Sequence, residues 1–167
     1  EIKAGIRIGL SIGIDFTSSN GNPLYGGSLH SLNGPTPNAY ERAIKACGNI
    51  VGYYDYDQLF PVFGFGAIIN SSTVKTPSMC FNLNFKENPD IYTVENIIKC
   101  YRDCISGNKL TFSGPNKFTP LINTVISRIQ KDKFEYHILM ILTNGVIEDM
   151  QETIDALVEG SFLPLRS

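Results

Sequence analysis

Segments with the periodicity of a β-strand alternate with segments with the periodicity of a helix along this chain. The first strand pattern runs from Ile6 to Ile14, where Ile or Leu occupies every second position and Gly9, Ser11 and Gly13 lie between them. A period of two predicts a strand, and small residues on its second face predict that a helix packs closely there. The alternation of strands and helices predicts an α/β fold of three layers, doubly wound around a mostly parallel sheet.

Three further strands are predicted. The segment 59–69 (LFPVFGFGAII) has the composition of the second strand. Alternating apolar residues over 79–85 predict a third, which suits an antiparallel edge. The segment 136–142 is a nearly continuous apolar run, and such a run is typical of a strand that is covered on both faces.

Four helices are predicted, each with one apolar face at helical spacing. Asn38 followed by Glu41 has the pattern of a capping box, Thr93 has that of an N-cap, and Thr119-Pro120 begins the third helix. The faces predicted to be buried are Tyr40, Ile44, Cys47 and Val51; Val94, Ile97, Ile98, Tyr101 and Ile105; Leu121, Ile122, Val125, Ile126 and Ile129; and Met150, Ile154, Leu157 and Val158.

The composition predicts one globular domain. The chain has 167 residues, 43% of them apolar and 18% charged, which suffices for a core without disulfides. Its 14 basic and 16 acidic residues form no basic run, which argues against a nucleic-acid partner. The longest apolar stretch, 138–142, is too short to cross a bilayer. Four cysteines without a CxxC pair predict a reducing, intracellular compartment.

Three polar loops are expected where ligands bind in such folds, beyond the carboxyl ends of the strands: 15–19, 114–119 and 143–149. In the first, Asp15, Thr17 and Ser19 place one carboxylate and two hydroxyls directly after a buried strand. Hard cations such as Mg²⁺ take oxygen ligands, so this loop is a candidate cation site. The alternative is that the three residues only bond their own backbone in a turn.

Several long strings resemble the von Willebrand factor A-type domain of copines, in the same order and over nearly the whole chain. They are IGIDFTSSNGNP, SLH, YDYDQLFPVFGFGA, GPNKFTPLIN and ILTNGVIEDM. The resemblance implies a von Willebrand factor A-like, Rossmann-like fold, with residues 1–167 forming a single domain that lacks its last strand and helix. Copines are intracellular proteins that bind phospholipid through two Ca²⁺-dependent C2 domains and recruit target proteins through the A domain.

The resemblance also implies a metal-ion-dependent adhesion site. In the family it is built from a DxSxS-like loop, a Thr in a second loop and an Asp in a third. Asp15, Thr17 and Ser19 match the first loop. The other two loops depart from the family, because Asn116 stands at the position of the Thr and Asn144 at that of the Asp.

These departures lower the charge of the expected site. Asp15 would supply one formal negative charge, where the family has two, and cation affinity depends on the charge of the ligands. We therefore expect Mg²⁺ or another divalent cation to bind weakly or not at all. Thr119 is a candidate replacement for the missing hydroxyl; the alternative is that it caps the helix before Pro120.

The function implied by the resemblance is a protein-interaction module that catalyses nothing. Target proteins are expected on the adhesion-site face, extended by the loop 20–37 with Tyr25, Leu29 and His30. Ca²⁺ and membrane phospholipid would be bound only by C2 domains outside these residues. The full-length protein is expected in the cytoplasm, associated peripherally with the plasma membrane.

Two other function classes stay open. The domain of a copine-like RING-type ubiquitin ligase would look the same, although a RING needs a dense Cys/His pattern that these residues do not contain. A small-molecule enzyme is the third class, for which fold alone is no argument. Its candidate groups are Cys100 with Cys104 as half a zinc site, His30 beside a cysteine, and Asp55 with Asp57 as paired carboxylates.

Overall fold

The structure is a computed structural model that describes residues 8–54, 57–131, 136–145 and 147–161. Its strands are β1 (Ile8–Asp15), β2 (Leu59–Phe65), β3 (Ala67–Ile69), β4 (Phe81–Asn82), β5 (Asp90–Tyr92), β6 (Leu110–Phe112) and β7 (Tyr136–Leu142). Its helices are α1 (Ala39–Gly52), α2 (Val94–Ser106), α3 (Thr119–Ile129) and α4 (Met150–Ser161). A short 3-10 turn, Ser18–Asn20, follows β1.

The strand β1 lies between two parallel neighbours in the main sheet, β2 on one side and β7 on the other. The short strands β4 and β5 pair antiparallel with the far edge of β2. All residues of β1 are buried, as expected for a strand that lies inside a parallel sheet. The predicted α/β fold, with a mostly parallel sheet and an antiparallel edge, is confirmed.

Helices cover both faces of this sheet and make the three layers. On one face, Ile12 and Ile14 of β1 belong to a buried cluster with side chains of α1 and α2. On the other face, α3 and α4 pack over Phe63 and Phe65 of β2. Gly13 points to this second face, where a Cβ atom would overlap Leu121 of α3. The prediction that the small residues of β1 admit a helix at close range is therefore confirmed.

The predicted caps of α1 and α2 are both present. The Asn38 side chain accepts from the Glu41 N–H at 2.9 Å, while the Glu41 carboxylate accepts from the Asn38 N–H at 3.2 Å. At the start of α2, the Thr93 hydroxyl accepts from the Asn96 N–H. The predicted buried face of α1 is wrong at Cys47, which is exposed.

The segment 59–69 is two strands, and the prediction of one continuous strand is wrong. The chain turns at Gly66, whose φ of 81° is a left-handed conformation that favours glycine. Beyond this turn β3 leaves the main sheet and pairs with β6. The predicted strand at 79–85 is likewise shortened, because Phe85 has a φ of 55° and the ladder with β2 covers only Phe81 and Asn82.

The strand β7 was predicted to be covered on both faces. Its second half agrees, since Met140 and Leu142 pack against one core cluster and Leu139 and Ile141 against the other, but its start is exposed in the described part of the chain. There β7 pairs with β1 alone. Tyr136 is 57% exposed and Ile138 is 44% exposed. The prediction is therefore wrong at the start of β7, where the apolar run continues but the side chains are exposed.

The predicted buried face of α4 is also wrong. Its large apolar residues are all exposed to solvent in the described part of the chain: Met150, Ile154, Leu157 and Val158. The helix instead packs on α3 through its small residues, since Ala156 is buried and a Cβ atom on Gly160 would overlap Ile126. Periodicity correctly predicts that α4 has an apolar face. The face that packs against α3, however, is the one that carries the small residues Ala156 and Gly160.

Candidate functional site

The three predicted loops lie together at the carboxyl ends of β1 and β7. Asp15 is the last residue of β1, and Ile14 lies beside Leu142, the last residue of β7. The second loop joins them because the Ser18 N–H donates to the Ser113 carbonyl at 2.6 Å. Parallel pairing and this bond bring side chains that are far apart in sequence to one place.

Asp15 is the centre of the site and is fully buried. Its Oδ1 accepts from the Thr17 N–H at 2.8 Å, from Thr17 Oγ1 at 2.6 Å and from Asn20 Nδ2 at 3.1 Å. Its Oδ2 accepts from Thr143 Oγ1 at 2.7 Å and from Asn116 Nδ2 at 3.4 Å. Both carboxylate oxygens are thus surrounded by donors of the protein itself.

Ser19 and Asn144 close the outer side of the site. Ser19 Oγ lies 2.9 Å from Thr17 Oγ1 and donates to Asn144 Oδ1 at 3.3 Å. In return, Asn144 Nδ2 donates to the Ser19 carbonyl at 3.0 Å. Asp15, Thr17, Ser19, Asn116 and Asn144 therefore form one hydrogen-bonded group, which we call the adhesion cluster.

Asn116 carries an unpaired polar atom. Its side chain is buried, and its Oδ1 has no hydrogen-bond partner among the residues that the structure describes. The backbone of Asn116 is held on both sides, since its N–H donates to the Glu148 carboxylate and its carbonyl accepts from the Glu148 N–H at 2.9 Å. A buried unpaired carbonyl oxygen is a place where a water or a cation would be expected.

The adhesion cluster fits a hard cation in the type of its ligands, but it offers little charge. Hydroxyl and amide oxygens are suitable ligands for Mg²⁺, and the cluster contains one carboxylate, that of Asp15. Within the described ranges, no group of three or more His, Cys, Asp or Glu side chains could hold a metal ion. The oxygens of Thr17, Ser19 and Asn116 would be the ones to supplement Asp15.

Two residues of the site were missed by sequence reasoning. Thr143 makes the shorter of the two bonds to Asp15 Oδ2, and Asn20 links Asp15 to α1 because its Oδ1 accepts from the Tyr40 hydroxyl at 2.5 Å. Thr143 directly follows the last residue of β7 and precedes Asn144, so its position after a strand could have identified it as a candidate site residue. Nothing in its spacing separates Asn20 from an ordinary turn residue.

His30 is an internal part of the structure, and its predicted place on the partner-binding loop surface is wrong. The ring is fully buried and stacks on Tyr40 with centroids 4.1 Å apart. Its Nε2 lies 2.7 Å from the Asp15 carbonyl, which can only accept, so Nε2 carries the proton. Its Nδ1 then accepts from the Tyr101 hydroxyl at 2.5 Å. No cysteine is among these hydrogen-bond and ring partners, so the predicted Cys/His pair is not formed at His30.

Burial dominates the electrostatics around His30. It lowers the pKa of His30 to about 4, although the bond to the Asp15 carbonyl opposes the shift. Burial also raises the pKa of Tyr101, which keeps its hydroxyl protonated as the donor to His30. Tyr101 in turn accepts from Asn38 Nδ2 at 3.1 Å. A directed chain of hydrogen bonds therefore runs from the cap of α1 to the backbone of Asp15.

The rest of the long loop does present an apolar surface. Leu24 is 76% exposed, Tyr25 is 70% exposed and Leu29 is 39% exposed. This apolar loop patch, formed by Leu24, Tyr25 and Leu29, is tied to the adhesion cluster because the Leu29 N–H and Ser28 Oγ both donate to the Asn20 carbonyl at 3.1 Å. The loop that carries the patch is thus anchored through Asn20 to Asp15 of the cluster.

Thr119 is neither a cap nor a member of the adhesion cluster. It is the first residue of α3, and its hydroxyl lies 3.3 Å from Thr153 Oγ1 of α4. The cap is supplied from the third loop, where the Asp149 carboxylate accepts from the N–H groups of Phe118 and Thr119. Burial would raise the pKa of Asp149, but hydrogen bonding to the Thr119 side chain, to the N–H groups of Phe118 and Thr119 and to the Thr153 side chain outweighs it and lowers the pKa.

The other predicted groups lie elsewhere. Cys100 and Cys104 both approach the Leu83 carbonyl from α2. Asp57 accepts from the Leu59 N–H at 3.3 Å, as a turn residue does, and Asp55 lies outside the described residues. In the part of the chain that the structure describes, no helix has both the length and the apolar character that a transmembrane span requires.

Comparison with known proteins identifies the family. The family model of copines matches residues 28–166. Protein BONZAI 2 of Arabidopsis thaliana is 38% identical to this chain over 172 residues, which cover 98% of the chain. The chain spans about 28% of the length of this curated relative. The matched region includes the second and third loops of the adhesion cluster and, of the apolar loop patch, Leu29. This chain therefore belongs to the copine family.

Proposed function

We propose that this chain is the recruiting module of a copine-like protein and binds target proteins on the face that carries the adhesion cluster and the apolar loop patch. The observation that supports this most directly is the juxtaposition of the two. The loop is held at its start by the buried Asn20, whose side chain donates to Asp15 and whose carbonyl accepts from Ser28 Oγ. Leu24 and Tyr25 lie in the same loop and are exposed to solvent. Exposed apolar side chains on a rigid support are what a protein-binding surface requires.

In the proposed function the adhesion cluster is a degenerate metal site. Two amide groups, those of Asn116 and Asn144, occupy positions where the family has a Thr and an Asp. The amide of Asn144 satisfies Ser19 without a cation, and five donors already surround Asp15. Partner binding is therefore expected to depend on side-chain contacts more than on a bridging cation.

Changing Asn144 to aspartate is expected to create cation binding. The carboxylate adds a second negative charge and faces the Ser19 carbonyl without the amide N–H, so a cation relieves the repulsion. Isothermal titration with Mg²⁺ should show sub-millimolar binding by Asn144→Asp and none by the wild type. At Mg²⁺ near 100 times its Kd, the variant should gain about 2.7 kcal/mol of unfolding free energy.

The matched control is Asn144→Ser, which removes the amide without adding charge and should not bind Mg²⁺. Saturable sub-millimolar binding by the wild type would contradict the degenerate site. Mn²⁺ and Ca²⁺ should be titrated alongside, since the preference between them reports on the size and rigidity of the site.

The proposed function is non-catalytic. The hydroxyls of Thr17 and Ser19 are the nucleophiles available in the adhesion cluster, and a hydroxyl needs a general base to attack. His30 is the nearest imidazole in the hydrogen-bonded network, but both of its nitrogens are engaged, by the Asp15 carbonyl and the Tyr101 hydroxyl. Asp15 accepts a hydrogen bond from Thr17 Oγ1, but four other donors also bind its carboxylate, which makes it a weak general base.

Replacing Leu24 and Tyr25 by serine is expected to weaken partner binding at least tenfold, about 1.4 kcal/mol, because both side chains are exposed anchors. The matched control is Ile50→Ser with Tyr53→Ser, which removes comparable exposed side chains near the end of α1. Captured proteins should be quantified by mass spectrometry from the same cells for wild type and both variants. Equal loss with both double variants, or no loss with either, would contradict the proposed face.

For the longer protein we propose what the family implies. Ca²⁺-dependent binding to phospholipid is assigned to C2 domains outside these residues, and the module described here brings partner proteins to the cytoplasmic side of the plasma membrane. Deleting these residues from the full-length protein should leave Ca²⁺-dependent vesicle binding intact and abolish co-sedimentation of the partners. Loss of vesicle binding would contradict this division of roles.

A further inference from the structure

A second feature of the molecule lies on the surface of α2, away from the adhesion cluster. A cavity of about 340 Å³ is bounded by α2 and by the segment that connects β4 to β5. The charged and reactive residues that line it are Lys86, Asp90, Lys99, Cys100, Asp103 and Lys109. We call it the lysine cavity.

Two cysteines lie side by side next to this cavity. Cys100 and Cys104 are four residues apart on α2, and each Sγ lies 3.4 Å from the Leu83 carbonyl. Cys104 is buried, whereas Cys100 is half-buried and lines the cavity. Cys100 is thus the thiol of the pair that a small molecule in the cavity can reach.

The cavity carries an excess of positive charge around Cys100. Three lysines line it together with two aspartates, and Asp90 forms an ion pair with Arg128 at 3.0 Å. Lys109 is held at the cavity because its Nζ lies 5.8 Å from the centre of the Phe85 ring and its N–H donates to the Cys104 carbonyl. Such a surface attracts small anions.

The charged groups of the cavity come from α2 (Lys99, Asp103), from β5 and the segment before it (Asp90, Lys86), and from the segment between α2 and β6 (Lys109). A hydrogen bond from Cys104 lowers the pKa of Cys100; burial opposes this, Lys109 and Lys86 reinforce it, and Asp103 opposes it. The hydrogen bond with Cys100, together with burial, raises the pKa of Cys104. Both thiols donate to the Leu83 carbonyl, and because the pKa is lowered at Cys100 and raised at Cys104, Cys100 is the thiol of the pair that ionises more readily.

We propose that Cys100 is a site of covalent modification by small disulfides that carry carboxylates. The Cys100 thiolate attacks one sulfur of the disulfide, a new S–S bond forms to that sulfur, and the original S–S bond breaks. The second sulfur leaves as a thiolate, so the disulfide is the oxidant and Cys100 is oxidised. The lysines of the cavity bind the carboxylates of the attached group.

Cys104 is poorly placed to displace the attached group. Residues at i and i+4 of a helix have Cβ atoms about 5–6 Å apart, whereas a disulfide needs about 3.5–4.5 Å. A bond between Cys100 and Cys104 would require α2 to unwind. The mixed disulfide at Cys100 is therefore the persistent product.

The exposed thiol of Cys47 provides an internal control for the test. The intact chain is treated with oxidised glutathione, which carries carboxylates, or with cystamine, which is cationic, and each site is followed by peptide mass spectrometry. With oxidised glutathione, Cys100 should react about fivefold faster than Cys47 near neutral pH, although it is less exposed. With cystamine this preference should become smaller, because the lysines of the cavity repel a cationic disulfide.

Two variants test the cause. Lys109→Gln, or Lys99→Gln if the first is unstable, should slow glutathionylation of Cys100 about threefold and leave Cys47 unchanged. Cys104→Ala should move the pH at which Cys100 reacts at half its maximal rate upward, while Cys47 again serves as the reference. The proposal would be overturned if Cys47 reacted faster than Cys100 with oxidised glutathione. It would also be overturned if the ratio of the Cys100 rate to the Cys47 rate were the same with cystamine as with oxidised glutathione.

Discussion

Replacing Asp15 by alanine is expected to lower the free energy of unfolding by about 4 kcal/mol. The carboxylate is fully buried and accepts five hydrogen bonds, two of them from Thr17 and one each from Asn20, Asn116 and Thr143. Alanine leaves these donors buried without a partner, and the desolvation cost of each is then no longer offset. A domain of this size has a total stability of about 5–15 kcal/mol, so the variant would be marginal.

The measurement is urea unfolding followed by far-ultraviolet circular dichroism, because the chain contains no tryptophan. Asp15→Asn is the conservative comparison, since it keeps the shape and one acceptor oxygen, and it should cost about 2 kcal/mol. The exposed neighbour Ser18 is the local control, and Ser18→Ala should change stability by less than about 0.5 kcal/mol. Similar small losses for Asp15→Ala and Ser18→Ala would contradict the role of Asp15 as the centre of the site.

The second large effect is a loss of stability in acid through His30. The folded protein holds His30 neutral down to about pH 4, whereas the unfolded chain protonates it below about 6.5. Between these values the unfolded state binds the extra proton, so the free energy of unfolding falls as the pH falls. The full difference is about 3 kcal/mol, present above pH 6.5 and lost by about pH 4.

The comparison variant for this effect is His30→Gln, which removes the titrating ring while keeping a donor and an acceptor for the Asp15 carbonyl and the Tyr101 hydroxyl. Urea unfolding of both proteins at a series of pH values isolates the contribution of His30, because the two proteins share every other titratable group. The wild type should lose about 3 kcal/mol more than the variant between pH 6.5 and 4. Parallel curves, or an imidazole that titrates near its ordinary pKa by NMR, would contradict the buried, neutral His30.

The main outline of the site could be predicted from the sequence, because it depends on a topological rule. A polar loop after each of two parallel strands reaches the same edge of the sheet, so Asp15 and Asn144 were expected near each other. The resemblance to copines added Asn116. The hydrogen-bond partners of Asp15 could not be predicted in the same way. Thr143, not Asn116, makes the shorter bond to Asp15 Oδ2, and Asn20 connects the site to α1.

The predictions that were wrong all concerned which neighbours a segment meets. His30 lies in a polar loop, yet Phe16, Tyr40 and Tyr101 enclose its ring. The chain from 59 onward was expected to continue as one strand, and it turns at Gly66 into a second small sheet. Periodicity carries no information on such neighbours, since they come from distant parts of the chain.

By itself the sequence determined the α/β class, the caps at Asn38 and Thr93, and the loops at which to look for a site. These features are local, because hydrogen bonding and side-chain periodicity within a few residues decide them. Only the tertiary structure decided that His30 is buried behind Asp15, that small residues join α4 to α3, and that Cys100 faces three lysines. These outcomes depend on which surfaces pack together, and packing is settled by the shapes of side chains that meet only once the chain has folded.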